Sequence, residues 1–283
     1  MHNVRTCLIW AAILLLWGFA AYQTDLTPGP LLEGLPAGWR YLQRVFPPDW
    51  SVLPRILGSL GETYLIAIAA TGLSASVALP LSFLGAFNIN PHRWLRLAVR
   101  QMFNLCRGFP DVFLALLLVS MVGFGPLPAV IALAIHNIGT LGRYFAEGTE
   151  AAGDKLREIG EAMSIDGATK LQVIKYGYIP CLSRLYVGYT LYYFEYSVRA
   201  GSYLGLVGAG GLGVFIKEAV GLFRYRQIGT IIIVIFAIAL TNDLLSQIIR
   251  CCCKTYFEFI QDFVSAAARV GGFLVGKLAI TSS

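Results

Sequence analysis

The chain has 283 residues, 57% of them hydrophobic and only 13% charged. Soluble globular domains carry about 25% charged residues, so a pair of ordinary soluble domains is excluded by apolarity although the length would suit it. The net charge of +6 could suit nucleic acid, but the Lys and Arg residues cluster between long apolar runs, as in the cytoplasmic loops of membrane proteins; no nucleic-acid partner is expected.

A membrane-spanning helix needs about 20 mostly apolar residues. The first such run, Cys7 to Tyr22, follows a short start bearing Arg5. A secretory signal peptide competes for this segment, and an uncleaved first span is the expectation. Residues 23 to 60 are polar and rich in Pro and Gly, with Pro28-Gly29-Pro30 and Pro47-Pro48-Asp49-Trp50, as suits a segment lying on the membrane surface. A second span is expected from about Thr63 to Phe87, with Pro80 inside it, and a third from Phe109 to Gly123, entered through a basic stretch. Gly125-Pro126-Leu127-Pro128 turns into a fourth span, Leu127 to Phe145. A polar segment, 147 to 185, precedes a fifth span from Tyr186 to Val207, a glycine-rich link, and a sixth from Ile228 to Ile249.

The reading is therefore all-α and polytopic, with six spans and both termini on one side. Segments on that side hold fourteen of the 22 Lys and Arg residues, against six on the other. The positive-inside rule places both termini in the cytoplasm. The organisation is a first span with an external surface segment (1–60), a core (61–250) and a tail (251–283). The tail carries Glu258, Asp262, Arg269 and Lys277 and reads as an amphipathic helix on lipid rather than a seventh span. Cys251-Cys252-Cys253 reads as reduced thiols at headgroup level, and the scattered His2, His92 and His136 make no metal-site spacing.

In the long polar segment, Leu156, Ile159 and Met163 fall on one helical stripe, and Leu171, Ile174 and Tyr178 repeat the spacing after Gly167. Two short amphipathic helices hinged at a glycine make a knob able to enter a groove on another protein. Proline cannot continue a helix, so Pro180 is expected to close the second one. The bland alternative is a solvated helical hairpin.

Glu161-Ala162-Met163, Gly167 and Gly177-Tyr178-Ile179-Pro180 resemble the EAA loop of ABC-importer permeases, whose pattern is Glu-Ala-Ala, Gly, then Ile-x-Leu-Pro. Met163 departs from Ala, Gly177 from Ile and Ile179 from Leu, with the spacing kept. Further blocks resemble the phosphonate-type permeases: Arg107-Gly108-Phe109-Pro110-Asp111, His136-Asn137-Ile138-Gly139-Thr140-Leu141-Gly142, Tyr193-Phe194-Glu195 and Leu204 to Gly213. The resemblance covers about residues 45 to 250. It implies a type I ABC-importer permease core whose loop, through Glu161, Ala162, Met163, Gly167 and Pro180, seats in a cleft of a cytoplasmic ATPase. The implied assembly has two permeases, two ATPase subunits and a periplasmic substrate-binding protein, with ATP and magnesium held by the ATPase and no cofactor on this chain.

Glu195 and Arg199 lie four apart in the fifth span, where an isolated charge costs about 2.5–3.5 kcal/mol. They can neutralise each other, or Arg199 can line a wet path and bind anion oxygens with its planar fork. Asp243 is a third pathway candidate, Arg143 can snorkel to the interface, and Asp111 suits the start of the third span. Gly208, Gly210, Gly211 and Gly213 match a dinucleotide fingerprint, but no strand precedes them; they read as packing or gate glycines. Gly271 to Lys277 nearly spells a phosphate loop, with Leu278 where a Ser or Thr is required, and reads as chance. The chain is thus expected to be no enzyme itself. Competing readings are an importer permease for another small solute such as methionine, a passive channel, and a membrane-embedded enzyme.

Overall fold

The computed structural model describes residues 2–24, 28–165 and 167–249. Among these it is helical throughout, with no strand. Helix α1 covers His2–Gln23 and α2 covers Pro28–Val45. A 3₁₀ turn, Trp50–Val52, leads into α3, Leu53–Gly85. Then come α4 (Arg93–Gly108), α5 (Asp111–Val122), α6 (Pro126–Ala151) and α7 (Gly153–Ile165). A short α8, Lys170–Gln172, runs through a π-helical turn, Val173–Tyr178, into α9, Ile179–Leu204. Last are α10 (Leu212–Gly221) and α11 (Tyr225–Ile249). The expected tail, with the Cys251 to Cys253 run, lies outside the described residues.

The bundle is built around α3, which packs on α6 and α9 over its length. Small side chains permit this close approach: Ala70, Ala115, Ala129, Ala132, Ala200 and Ala209 meet around Ile66, Leu133 and Leu204. A second cluster fills the end nearer α7, with Phe83, Leu141, Phe145, Leu182, Tyr186 and Tyr193. A third joins the start of α3 to α10 and α11 through Ile56, Phe215 and Ile231. Between the first two, Ser197 Oγ on α9 accepts hydrogen bonds from Asn137 Nδ2 on α6 (2.8 Å) and from the Thr71 hydroxyl on α3 (3.3 Å). Without water to satisfy them, such polar groups cross-link helices.

Several boundaries differ from the sequence reading. Two helical stretches, Trp50–Gly85 and Tyr225–Ile249, are long and apolar enough to cross a membrane. Two bent pairs would raise that to four: α4 with α5, and the Lys170–Val207 helix with α10, bent by 80° and 43°. The expected third span is only the 12-residue α5; the Phe109-Pro110 step turns the chain because proline disfavours helical backbone in the residue before it. Both α6 and α9 extend beyond the expected fourth and fifth spans into the polar segment, to Ala151 and from Ile179.

Ser197→Ala should lower the stability of the detergent-solubilised chain by about 1–2 kcal/mol, since it strands the Asn137 amide in an apolar core. Denaturant titration followed by circular dichroism measures this, with Ser120→Ala, at an exposed position, as control.

Candidate functional site

The polar segment folds as a hairpin. Helix α7 ends at Ile165, and Gly167 has φ +79°, a left-handed backbone that favours glycine. The Ala168 amide donates back to the Met163 carbonyl (3.1 Å), closing the helix end. The chain restarts at once: Thr169 and Gln172 form a reciprocal capping box at the start of α8. Gly167 thus makes the turn between the two arms.

The arms pack through small-to-large contacts. A Cβ placed on Gly177 would lie 2.7 Å from Ile159 Cγ2 and 2.9 Å from Met163 Sδ. Met163 and Gly177, two departures from the importer pattern, therefore face each other. A larger residue stands on one arm and a smaller one on the other, which conserves packed volume.

Of the expected apolar stripes, Leu156 is buried and Ile174 and Tyr178 pack beside it. Leu171 is 78% exposed, and Ile165 across the hinge is 86% exposed. Leu171 does not join the stripe, because the short α8 turns it away from α7. The hinge is bracketed by two bare aliphatic side chains. Glu161 and Ala162 are also exposed, and Glu161 pairs with Arg157 one turn earlier (3.0 Å).

Pro180 corrects the expectation that it closes the second helix. It lies in the first turn of α9, where its missing N–H is no loss. The π turn before it shifts the hydrogen bonds, so that the Ile179 amide reaches the Ile174 carbonyl, and the Lys170–Val207 helix continues. The arm is thereby a rigid extension of α9. At its base Leu156, Ile174, Tyr178 and Ile179 join the apolar cluster of Phe145 and Tyr186.

Beside the base, the chain after α3 is held firmly. Arg100 on α4 donates to Glu150 at the end of α6 and to the Gly85 carbonyl (3.0 Å). Glu150 also accepts from the Phe87 amide (2.9 Å), and Asn88 donates to the Thr149 carbonyl (2.9 Å). A groove of about 990 Å³ lies between this loop and the hairpin, lined by Asn88, Asn90, His92, Arg157 and Lys170 among others. Sequence reading missed the Arg100–Glu150 pair, since residues 50 apart offer no local spacing signal.

The charges within the helices separate into distinct sites. Glu195 and Arg199 form the expected pair (2.8 Å), with the glutamate side chain 10% and the arginine side chain 51% exposed. Asp243 joins no ion pair among the described residues. Its neighbour Asn242 is buried and accepts from the Tyr64 hydroxyl (2.7 Å). Arg143 pairs with Glu147 (2.6 Å). Asp111, 6% exposed, begins α5, where its Oδ1 accepts from the Val112 amide, while its Oδ2 accepts from the hydroxyls of Tyr196 (3.0 Å) and Tyr203 (2.8 Å). It is more than a cap: it fastens the broken α4–α5 joint to α9.

A helical bundle with a glycine-turned hairpin and a half-buried charge pair within its helices fits a class, the membrane-embedded permeases of transport systems. The chain belongs to the family described as binding-protein-dependent transport system inner membrane component, which matches residues 78–250. It is 34% identical over 238 residues to the putative phosphite transport system permease protein HtxC of Stutzerimonas stutzeri, covering 84% of this chain and 83% of that one. The phosphite transport system permease protein PtxC of the same species is 31% identical over 220 residues, with 78% and 79% covered. The phosphate-import permease protein PhnE of Mycolicibacterium smegmatis (strain ATCC 700084 / mc(2)155) is 33% identical over 221 residues, with 78% and 41% covered. A structure titled for inward-facing conformations of the MetNI methionine ABC transporter shares the fold, with TM-score 0.61 and 18% identity over 72% of this chain and 99% of that one. The chain is thus an ABC-importer permease of phosphonate type, an inner-membrane translocation subunit whose family implies an ATP-binding subunit and a substrate-binding protein as partners.

Gly177→Ile should destabilise the hairpin by about 1–3 kcal/mol through overpacking, and adding Met163→Ala should recover much of that loss. A double-mutant cycle read by thermal unfolding checks it; additive effects would separate the two residues.

Proposed function

We propose that this permease carries phosphite, a phosphonate or a related phosphorus oxyanion. Two relatives that align over most of their length, HtxC and PtxC, are named for phosphite transport, and the likeness to the methionine transporter is one of fold alone. The permease spans the membrane six times with both termini cytoplasmic, as its basic loops favour, and pairs with a second copy to enclose one pathway. ATP and magnesium are bound, and ATP is hydrolysed, on the separate ATPase. Leu32, Leu35, Trp39 and Leu42 lie exposed on one face of α2, opposite Glu33 and Arg40, which suits a helix seated at the membrane surface.

The observation that carries the coupling role is the bare apolar tip, Ile165 and Leu171 flanking Gly167. Exposed aliphatic side chains on a stiff support fit a hydrophobic cleft on a partner. When two ATPase subunits close, the tip is displaced, and α9, continuous with one arm, carries that displacement into the bundle. The pathway then alternates between two states that bind the anion unequally. Arg199, half-exposed and only partly neutralised by Glu195, faces the passing anion, and its planar fork suits two oxygens at once. Asp243 is assigned to the same pathway, where it repels anions from the wall around α11.

Replacing Ile165 and Leu171 together by Asp should abolish co-purification of the ATPase while leaving the permease in the membrane fraction; unchanged co-purification overturns the docking tip. Gly167→Val should abolish ATPase stimulation by loaded binding protein, and normal stimulation counts against the hinge. For the pathway, Glu195→Arg combined with Arg199→Glu should restore folding but not anion uptake. Recovered uptake would assign Arg199 to its ion pair alone.

A further inference from the structure

At the end of the bundle away from the hairpin, three parts of the chain meet at the glycine-rich link between α9 and α10. Gly208, Gly210 and Gly211 have φ of +92°, +82° and +69°, so the link folds where side chains are disfavoured. It can offer backbone groups and shape, but few side chains with which to fasten itself.

The fastening comes from α3. Glu62 Oε2 accepts from the Gly211 amide (3.1 Å), and the hydroxyl of Thr63, fully buried, accepts from the Leu212 amide (3.0 Å). No side chain of its own caps α10, so groups 149 residues away in sequence satisfy its first amides. The carboxylate also lies at the positive end of the α10 dipole, where a negative charge is favoured. On the opposite side, the Gly125 amide donates to the Gly208 carbonyl (3.2 Å), and the Phe124 ring lies against Gly208. A Cβ on Gly210 would meet Glu62 Oε1 at 3.0 Å and Pro126 Cα at 3.2 Å. The link is clamped between α3 and the α5–α6 turn.

We propose that Glu62 is a positioning residue for transport, fastening the α9–α10 link to α3 so that the far ends of α3, α6 and α9 move as one body when the hairpin is displaced. This role rests on the importer reading above. The Glu62 and Thr63 bonds are made to amides at the start of α10 that have no partner within the helix, so releasing them leaves those donors unsatisfied. Displacement delivered to α9 at one end of the bundle is therefore shared with α3 and α6 at the other. Without the carboxylate, the link yields before the helices move, and ATP is hydrolysed with less substrate carried.

Two measurements test this. Hydrogen exchange on the purified permease in nanodiscs does not depend on transport. In Glu62→Ala, exchange of the segment covering 208–214 should rise roughly tenfold, the factor expected for loss of a hydrogen bond to a charged group. In Glu62→Gln, which keeps a neutral acceptor oxygen, it should rise clearly less than in Glu62→Ala. Unchanged exchange in Glu62→Ala overturns the clamp. In the assembled importer, substrate moved per ATP should fall severalfold in Glu62→Ala and recover in Glu62→Gln; a parental ratio in Glu62→Ala overturns the role in transport. If Glu62→Ala does not assemble, Glu62→Asp, shorter by one methylene, takes its place with the same expected loss and the same overturning result. A parent assembly that neither hydrolyses ATP nor imports sinks the importer reading, while hydrogen exchange still decides the clamp.

Discussion

The contact between Phe145 and Tyr186, with ring centroids 4.6 Å apart, is where the polar hairpin becomes part of the apolar bundle. Phe145 lies on α6 before the chain leaves the bundle, and Tyr186 on α9 after it returns. Thr149 on α6 shares a hydrogen bond with the Tyr186 hydroxyl (2.6 Å). Around these rings gather Phe83 of α3 and Leu156 and Tyr178 of the hairpin. Close-packed interiors transmit displacement because they are hard to compress. A hairpin joined to its body only by a solvated strand could move alone; this one shares a core with α3, α6 and α9.

That arrangement divides the hairpin into a base and a tip governed by different physics. At the base, burial and volume matching dominate, as the opposition of Met163 and Gly177 illustrates. At the tip, aliphatic side chains stand in the open at a cost that an isolated protein gains nothing by bearing. The π turn serves the same division: it lets Pro180 enter a continuous helix instead of ending it. Such turns concentrate at functional positions.

The broad architecture was legible because it follows from local chemistry. Apolar run length locates the long helices α3 and α11, and the turn at Gly167 falls between the segments that become α7 and α8. The i, i+4 spacing of Glu195 and Arg199 is enough to foresee their pairing. Tertiary partners were not legible. Nothing near Glu62 in sequence announces that its carboxylate serves the amide at 211, and Asp111 reads as a cap until the hydroxyls of Tyr196 and Tyr203 come into reach. Pro180 misled because the rule that proline ends helices assumes α geometry, and a π turn removes that assumption. Leu171 misled because periodicity shows that a face exists, not that anything covers it.

The short α5 has a consequence for the surrounding lipid. Its 12 residues rise about 18 Å, well short of a hydrocarbon layer about 30 Å thick. If α5 starts from one face of the bilayer, the elbow at Phe109-Pro110 brings non-helical backbone to a depth where lipid offers no hydrogen bonds. Asp111 and its two tyrosines cover part of it. The balance between elbow and bilayer makes membrane thickness itself a variable of the fold, so acyl-chain length bears on this permease before any solute reaches it.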